Sequence, residues 1–249
     1  MNESFGLPDR MKRYEAVSDI TLTRRSPVII RVDGRAFHTL TRGMDRPFDA
    51  EFAVCMSRAA HALVSEVQGA KLAYVQSDEV SVLLTDYDTI QTDAWFGYRV
   101  QKMVSVAAAI ATIAFEARFR NAFPTQKGIP LFDASVFTLP RDEVVNYFVW
   151  RQRDAVRNSI QATGQAHFSQ KQLHGKNTDE IQEMLFQEKG INWNDTPTQF
   201  KRGWCVVLHQ ESDDIRQQWI TDLEIPEFTR DREYIESRLP MPDYERAVT

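Results

Sequence analysis

The chain has 249 residues, 43% of them hydrophobic, with 30 lysines and arginines against 35 aspartates and glutamates for a net charge of −5. That length can bury a substantial core, while two cysteines without Cys-x-x-Cys or paired histidine spacing exclude a disulfide framework and argue against a zinc site. A uniformly basic nucleic-acid module is excluded as well, yet residues 211–249 alone carry 11 acidic and 5 basic side chains, so the remaining body is nearly neutral.

In chain order, Val28, Ile29, Ile30 and Val32 predict a strand over 28–33 buried on both faces, which holds Asp33 rigidly at its end. A helix is predicted from Asp49 to about Val67. Two β-rich runs follow, Lys71 to Gln76 and Val80 to Leu84, with Ser77-Asp78-Glu79 at the turn between them. A long apolar helix is predicted from about Trp95 to Phe119, with Trp95, Phe96, Phe115 and Phe119 as core, and then a strand near Phe132 to Phe137. This β-α-β-β-α-β order predicts an α+β fold, a ferredoxin-like palm with an antiparallel sheet. A right-handed crossover makes the first two strands parallel with the third between them, which carries Asp33 and Asp78 to one edge.

Pro140 before Arg141-Asp142-Glu143 predicts a boundary between a palm-like catalytic unit, residues 1–140, and a helical addition, residues 141–249. Helices are expected from Arg141 to about Ala162, broken by Gly164, and from Asp179 to Lys189, stopped by Gly190. Trp204 to His209 is expected to return to the sheet as a strand, whereas Pro226, Pro240 and Pro242 among many charges predict an irregular, loosely docked last segment. Cys55 and Cys205 fall in apolar runs and read as buried small residues. No apolar run is read as long enough to span a bilayer and the chain opens on polar Asn2 and Glu3, so a cytoplasmic protein with no membrane partner is expected.

Two carboxylates at one sheet edge repel and raise each other's pKa unless a cation neutralises them, and hard oxygen ligands at a phosphate site suit Mg²⁺. Taken separately, Asp33-Gly34 and Ser77-Asp78 are also common turn formers. Basic clusters at Arg10 with Lys12 and Arg13, Arg24-Arg25, Arg151 with Arg153 and Arg157, Lys171 with His174 and Lys176, and Lys201-Arg202 can contact phosphates if they share a face, or form an ordinary solvated surface.

Val-Asp-Gly-Arg-Ala-Phe-His at 32–38, Arg46-Pro47-Phe48-Asp49, the run Tyr74 to Ser81, and Tyr147 to Gln152 with Asp154 stand in an order that resembles the tRNA-His guanylyltransferase family. The guanylyltransferase-like branch of that family is the nearer match. The resemblance covers about residue 10 to about residue 204 and implies 3′-to-5′ addition of nucleotides to a tRNA 5′ end, with ATP and GTP or other nucleoside triphosphates as substrates. It implies that Asp33 and Asp78 hold two Mg²⁺ ions with the carbonyl of Gly34, and that Glu79 assists as a neighbouring acid, although its side chain should point away from that of Asp78. Ser77 and the backbone of Gly34, Arg35, Ala36, Phe37 and His38 match phosphate-contacting positions; His38, Arg46 and Asp49 match positions near the base, where Asp49 is equally good as a helix N-cap. Arg99 and Lys102, read as i, i+3 on one helix face, match triphosphate-binding positions. Arg151, Arg157, Asn158, Lys176 and Asn177 are candidate RNA contacts, and a homo-oligomer, a tetramer, is implied.

Two departures stand out. Ser135 in Phe132-Asp133-Ala134-Ser135 replaces a family arginine, and residues 156–162 keep only Asn158 of a motif the eukaryotic enzymes carry. The second favours templated repair of tRNA 5′ ends over a dedicated single guanylate addition to tRNA-His. A palm enzyme using another phosphoryl acceptor and a non-catalytic RNA-binding relative remain as further readings.

Overall fold

The computed structural model describes residues 6–210 and 217–241. The elements, in order, are α1 (Leu7–Ala16), β1 (Val28–Gly34), α2 (Phe37–Leu40), α3 (Ala50–Glu66), β2 (Ala70–Gln76), β3 (Glu79–Leu84), α4 (Val100–Ala122) and β4 (Phe132–Thr138). Then come α5 (Val144–His167), α6 (Gln170–Leu173), α7 (Thr178–Lys189), α8 (Thr198–Arg202), β5 (Trp204–Gln210), β6 (Gln217–Asp222) and α9 (Glu233–Glu236).

The six strands form one sheet in the order β4-β1-β3-β2-β5-β6, with every neighbouring pair antiparallel. β1 and β2 therefore run the same way with β3 between them, the α+β arrangement predicted. Alternation along β1 explains the layers. Val28, Ile30 and Val32 enter a core with Met56 and Leu63 of α3 and Met103, Phe115 and Phe119 of α4; Ile29, on the other face, joins Leu72, Leu83 and Phe148 of α5. A fully buried side chain such as Phe115 contributes roughly 2 to 3 kcal/mol by leaving water. Cys55 and Cys205 are buried free thiols within these cores, and β5 returns to the sheet beside β2 as expected.

Several local expectations are corrected. Trp95–Tyr98 form a separate 3-10 turn with left-handed Phe96, Gly97 and Tyr98, and the α-helix begins only at Val100. The incoming N-terminal chain claims the backbone here: Leu22 N–H donates to the Tyr98 carbonyl and Val100 N–H to that of Ile20. Phe96 is exposed rather than core. By length and hydropathy α4 is long enough to cross a membrane, contrary to the reading of its sequence, but its Met103, Ala107, Ala111, Phe115 and Phe119 face the α3 and sheet core.

Gly164 does not break α5, which runs on to His167. A Cβ at Gly164 would stand 2.8 Å from Ile181 Cγ2, so the glycine lets α7 approach closely instead. Gly190, left-handed at φ 66°, does stop α7. The last segment is irregular but not loosely docked. Ile225, Phe228, Ile235 and Leu239 are buried against the Tyr74 and Phe148 side of the sheet, and Gln152 of α5 fixes the segment by donating to the Pro226 carbonyl and accepting from Phe228 N–H. Its charges stay at the surface while these four apolar side chains point inward. Pro242 lies outside the described residues.

Candidate active site

Val28, Ile29, Ile30 and Val32 bury β1, with Arg31 half-buried between them, so Asp33 emerges from a buried strand at the sheet edge. Gly34 follows because a Cβ there would lie 2.6 to 2.8 Å from the Phe37 ring. That ring is buried among Phe52, Phe115 and Phe132. The turn around it, with left-handed Ala36, is thereby anchored, leaving Arg35 and His38 exposed. With the Phe37 side chain buried, the 34–38 turn presents its backbone, as expected.

The β2–β3 hairpin closes on the pair Gln76 and Glu79 around a two-residue turn, Ser77-Asp78, with Ser77 left-handed at φ 49°. Gly34 N–H donates to the Asp78 carbonyl at 3.0 Å, which joins the end of β1 to this turn. Asp33 and Asp78 thus converge. Burial first, and then the neighbouring Asp78, Glu79 and Asp133, together push the Asp33 carboxyl up to about 6. The Asp78 carboxyl is raised chiefly by burial, opposed by its own backbone N–H, the Ser77 hydroxyl and His38. Asp133, directly cross-strand from Asp33 on β4, belongs to the same acidic edge. Its role was missed because only strand pairing, not local pattern, brings it there.

The cost of this edge is testable. Because the folded protein holds the Asp33 proton more tightly than the unfolded chain, ionising Asp33 subtracts stability as pH rises from about 4 to about 6. Asp33→Asn is therefore expected to melt higher than the parent above pH 6 without divalent cations, and equally near pH 4. Thermal denaturation at the two pH values decides; an unchanged or lowered midpoint above pH 6 rejects the electrostatic assignment.

A cavity of about 270 Å³ opens beside the turn, bringing together the predicted Arg46, Asp49, Ser77 and Asn158. Asp49 caps α3, accepting from Phe52 N–H at 3.0 Å and from Asp45 N–H at 3.2 Å. The far wall comes from the C-terminal part: Phe200 stacks parallel on Phe48 at 5.0 Å between centroids, and buried Trp204 has an indole N–H without an acceptor among the described residues. Neither was singled out in the sequence, because both join the site through the pairing of β5 with β2.

Other predicted residues are placed elsewhere. Glu79 is not a free acid: Arg151 donates to both of its oxygens, Nε to Oε1 at 2.8 Å and Nη2 to Oε2 at 2.7 Å. Arg151 is buried in that pair and is therefore not an RNA contact. Arg157 is exposed and pairs with Asp154. Lys176 pairs with Glu180 at 3.2 Å, while Asn177 caps α7 by accepting from Asp179 and Glu180 N–H, so its carbonyl oxygen is used locally. Arg99 precedes α4 in an extended conformation rather than sharing a helical face with Lys102, and it pairs with Asp19 at 2.8 Å. Lys102 is exposed on the first turn of α4. Among the described residues no three His, Cys, Asp or Glu side chains form a metal cage. What the edge offers is a smaller oxygen set, two carboxylates with main-chain carbonyls.

Comparison with known proteins gives this geometry a context. The family profile described as tRNAHis guanylyltransferase matches residues 8–140, and the Thg1 C terminal domain profile matches residues 142–238. A bacterial tRNA(His) guanylyltransferase (Thg1)-like protein in complex with ATP superposes with a TM-score of 0.89 at 44% identity, over 94% of this chain and 98% of that one. A complex of such a protein with GTP superposes at 0.80 with 40% identity, over 93% and 98%. The tRNA(His) guanylyltransferase of Saccharomyces cerevisiae is 28% identical over 74% of this chain and 83% of its own. The chain belongs to the tRNAHis guanylyltransferase family of nucleotidyltransferases.

Proposed function

We propose that this chain extends the 5′ end of tRNA in the 3′-to-5′ direction, choosing each nucleotide by its match to the opposing strand, with two Mg²⁺ ions held by Asp33, Asp78 and the carbonyl of Gly34. The observation that carries this reading is the convergence of Asp33 and Asp78 at one sheet edge, where burial and neighbouring acids raise the Asp33 pKa to about 6. Such an edge favours a hard cation that takes oxygen ligands and keeps several waters. When bound, the ions would lower the pKa of the attacking 3′-hydroxyl and offset charge on the phosphates.

The remaining work falls to the protein. The cavity beside Ser77 accommodates the base of ATP or GTP, its apolar wall made by Phe48 and Phe200 and its polar edge by Asp49, Asn158 and Trp204. Arg35, Arg46 and Lys102 are exposed and make no ion pair among the described residues, which suits them to phosphates. A 5′-triphosphate end already carries a leaving group, whereas a 5′-monophosphate end first requires activation by ATP. Residues 1–140 are read as the palm and 141–249 as the addition that walls the cavity, in a cytoplasmic homo-oligomer whose further copies supply surface for the tRNA.

Templated repair is favoured over dedicated guanylate addition because residues 156–162 keep only Asn158 of the eukaryotic motif. Base pairing then positions the 3′-hydroxyl, and a mismatch forfeits much of that orientation. With 5′-truncated tRNAs of several identities and permuted opposing bases, addition of the complementary nucleotide to each is expected. Guanylate added opposite every base, on tRNA-His alone, would restore the dedicated enzyme. Binding without lengthening would leave a non-catalytic relative.

A further inference from the structure

We propose that Arg151 is a positioning residue: it clamps Glu79 and thereby holds the Asp78 turn against the end of β1. The inference rests on the reading of Asp33 and Asp78 as cation ligands. Glu79 pairs with Gln76 to close the hairpin, and directly opposite it on the neighbouring strand stands Asp33. The Arg151 fork reaches it from α5, 72 residues away in sequence, with two bonds of 2.8 and 2.7 Å. Weaker contacts to the same oxygen Oε1 come from Gln76 Nε2 at 3.4 Å and Ser81 Oγ at 3.3 Å, and Ser81 Oγ in turn meets the Tyr147 hydroxyl at 2.8 Å. Arg151 is itself held by Asp154 at 3.3 Å and lies 4.5 Å from the Trp150 ring centroid.

Stability alone does not explain this pair, since a buried ion pair is commonly no better than apolar packing of the same volume. Its geometry does something apolar packing cannot. Two bonds to two oxygens hold Glu79 in one orientation, keep its charge compensated and out of the cation site, and fix the strand end from which the two-residue turn springs. Asp78 sits in that turn, and its carbonyl is the acceptor for Gly34 N–H. The path therefore runs from α5 through Glu79 to both carboxylates.

The test uses the full chain and Mn²⁺ as a spectroscopic probe, titrated by electron paramagnetic resonance. Arg151→Lys keeps the charge but loses the fork; it is expected to bind Mn²⁺ about tenfold to a hundredfold more weakly, as for other groups that orient metal ligands. Its kcat for tRNA extension should fall while KM for the nucleotide holds, because the base cavity is untouched. Circular dichroism establishes that the variant is folded. Should it fail to fold, Glu79→Gln, which removes the charge that the fork grips, is expected to weaken Mn²⁺ binding in the same sense. Parent-like Mn²⁺ affinity in the folded Arg151→Lys protein, or in Glu79→Gln when that is the variant measured, overturns the clamp. A parent that binds no Mn²⁺, or binds it equally after Asp33→Asn, overturns the cation-site reading and the clamp with it; Mn²⁺ binding that depends on Asp33 but ignores Arg151 overturns the clamp alone.

Discussion

Asp33→Ala and Asp78→Ala are each expected to reduce nucleotide addition by roughly three orders of magnitude or more while leaving the fold intact. Each removes an oxygen donor from the edge where Asp33 and Asp78 converge, and the adjacent Glu79 is locked to Arg151. The fold should survive because neither carboxylate forms an ion pair among the described residues, and burial and neighbouring acids raise both pKa values, so ionised they oppose folding rather than support it. Single-turnover extension of a 5′-truncated tRNA, read beside circular dichroism, checks both halves. Near-parental rates in either variant reject the assignment, and a variant that loses rate and fold together does not support it.

Gly203→Ala is expected to cost about 3 kcal/mol of stability or more, lowering the melting midpoint by roughly 6 to 12 °C in a chain of this size. Gly203 joins α8 to β5 with φ 81° and ψ −171°, a conformation open essentially to glycine alone. A Cβ there would stand 2.3 Å from the Val75 carbonyl oxygen and 2.9 Å from the Tyr74 ring and hydroxyl. Neither neighbour can yield cheaply. Val75 is paired with Trp204 in the sheet, and Tyr74 is fully buried with its hydroxyl donating to the Arg202 carbonyl at 2.6 Å. The damage should reach function, since Phe200 and Trp204 flank this glycine in the cavity wall, and KM for the nucleotide is expected to rise. Gly43→Ala is the control: its φ is 89° but a Cβ meets nothing within 4 Å, so only the backbone conformation is strained, at about 1 to 2 kcal/mol. Equal midpoints for the two variants would show that the contact with β2 contributes nothing.

The sequence alone determined β1 to β5 and the position of the two aspartates at their ends, whereas the edge strand β6 was not read from it. A buried strand followed abruptly by Asp-Gly, and two β runs joined at Ser-Asp, are local patterns, and the topology that brings Asp33 to Asp78 follows from the order of elements and the handedness of crossovers. The cap at Asp49 and the stop at Gly190 were legible for the same reason, because each depends on residues within one turn. Gly164 was misread because its effect lies in Ile181 of another helix, and the start of α4 because the N-terminal chain captures its backbone. Only the tertiary structure decided the role of Arg151, which looked like a surface cation until the fold set Glu79 beside it. It alone also added Asp133 to the acidic edge and placed Phe200 and Trp204 in the cavity wall. Charge compensation and cavity walls depend on distances between residues far apart in the chain, and a periodic pattern carries no information about those.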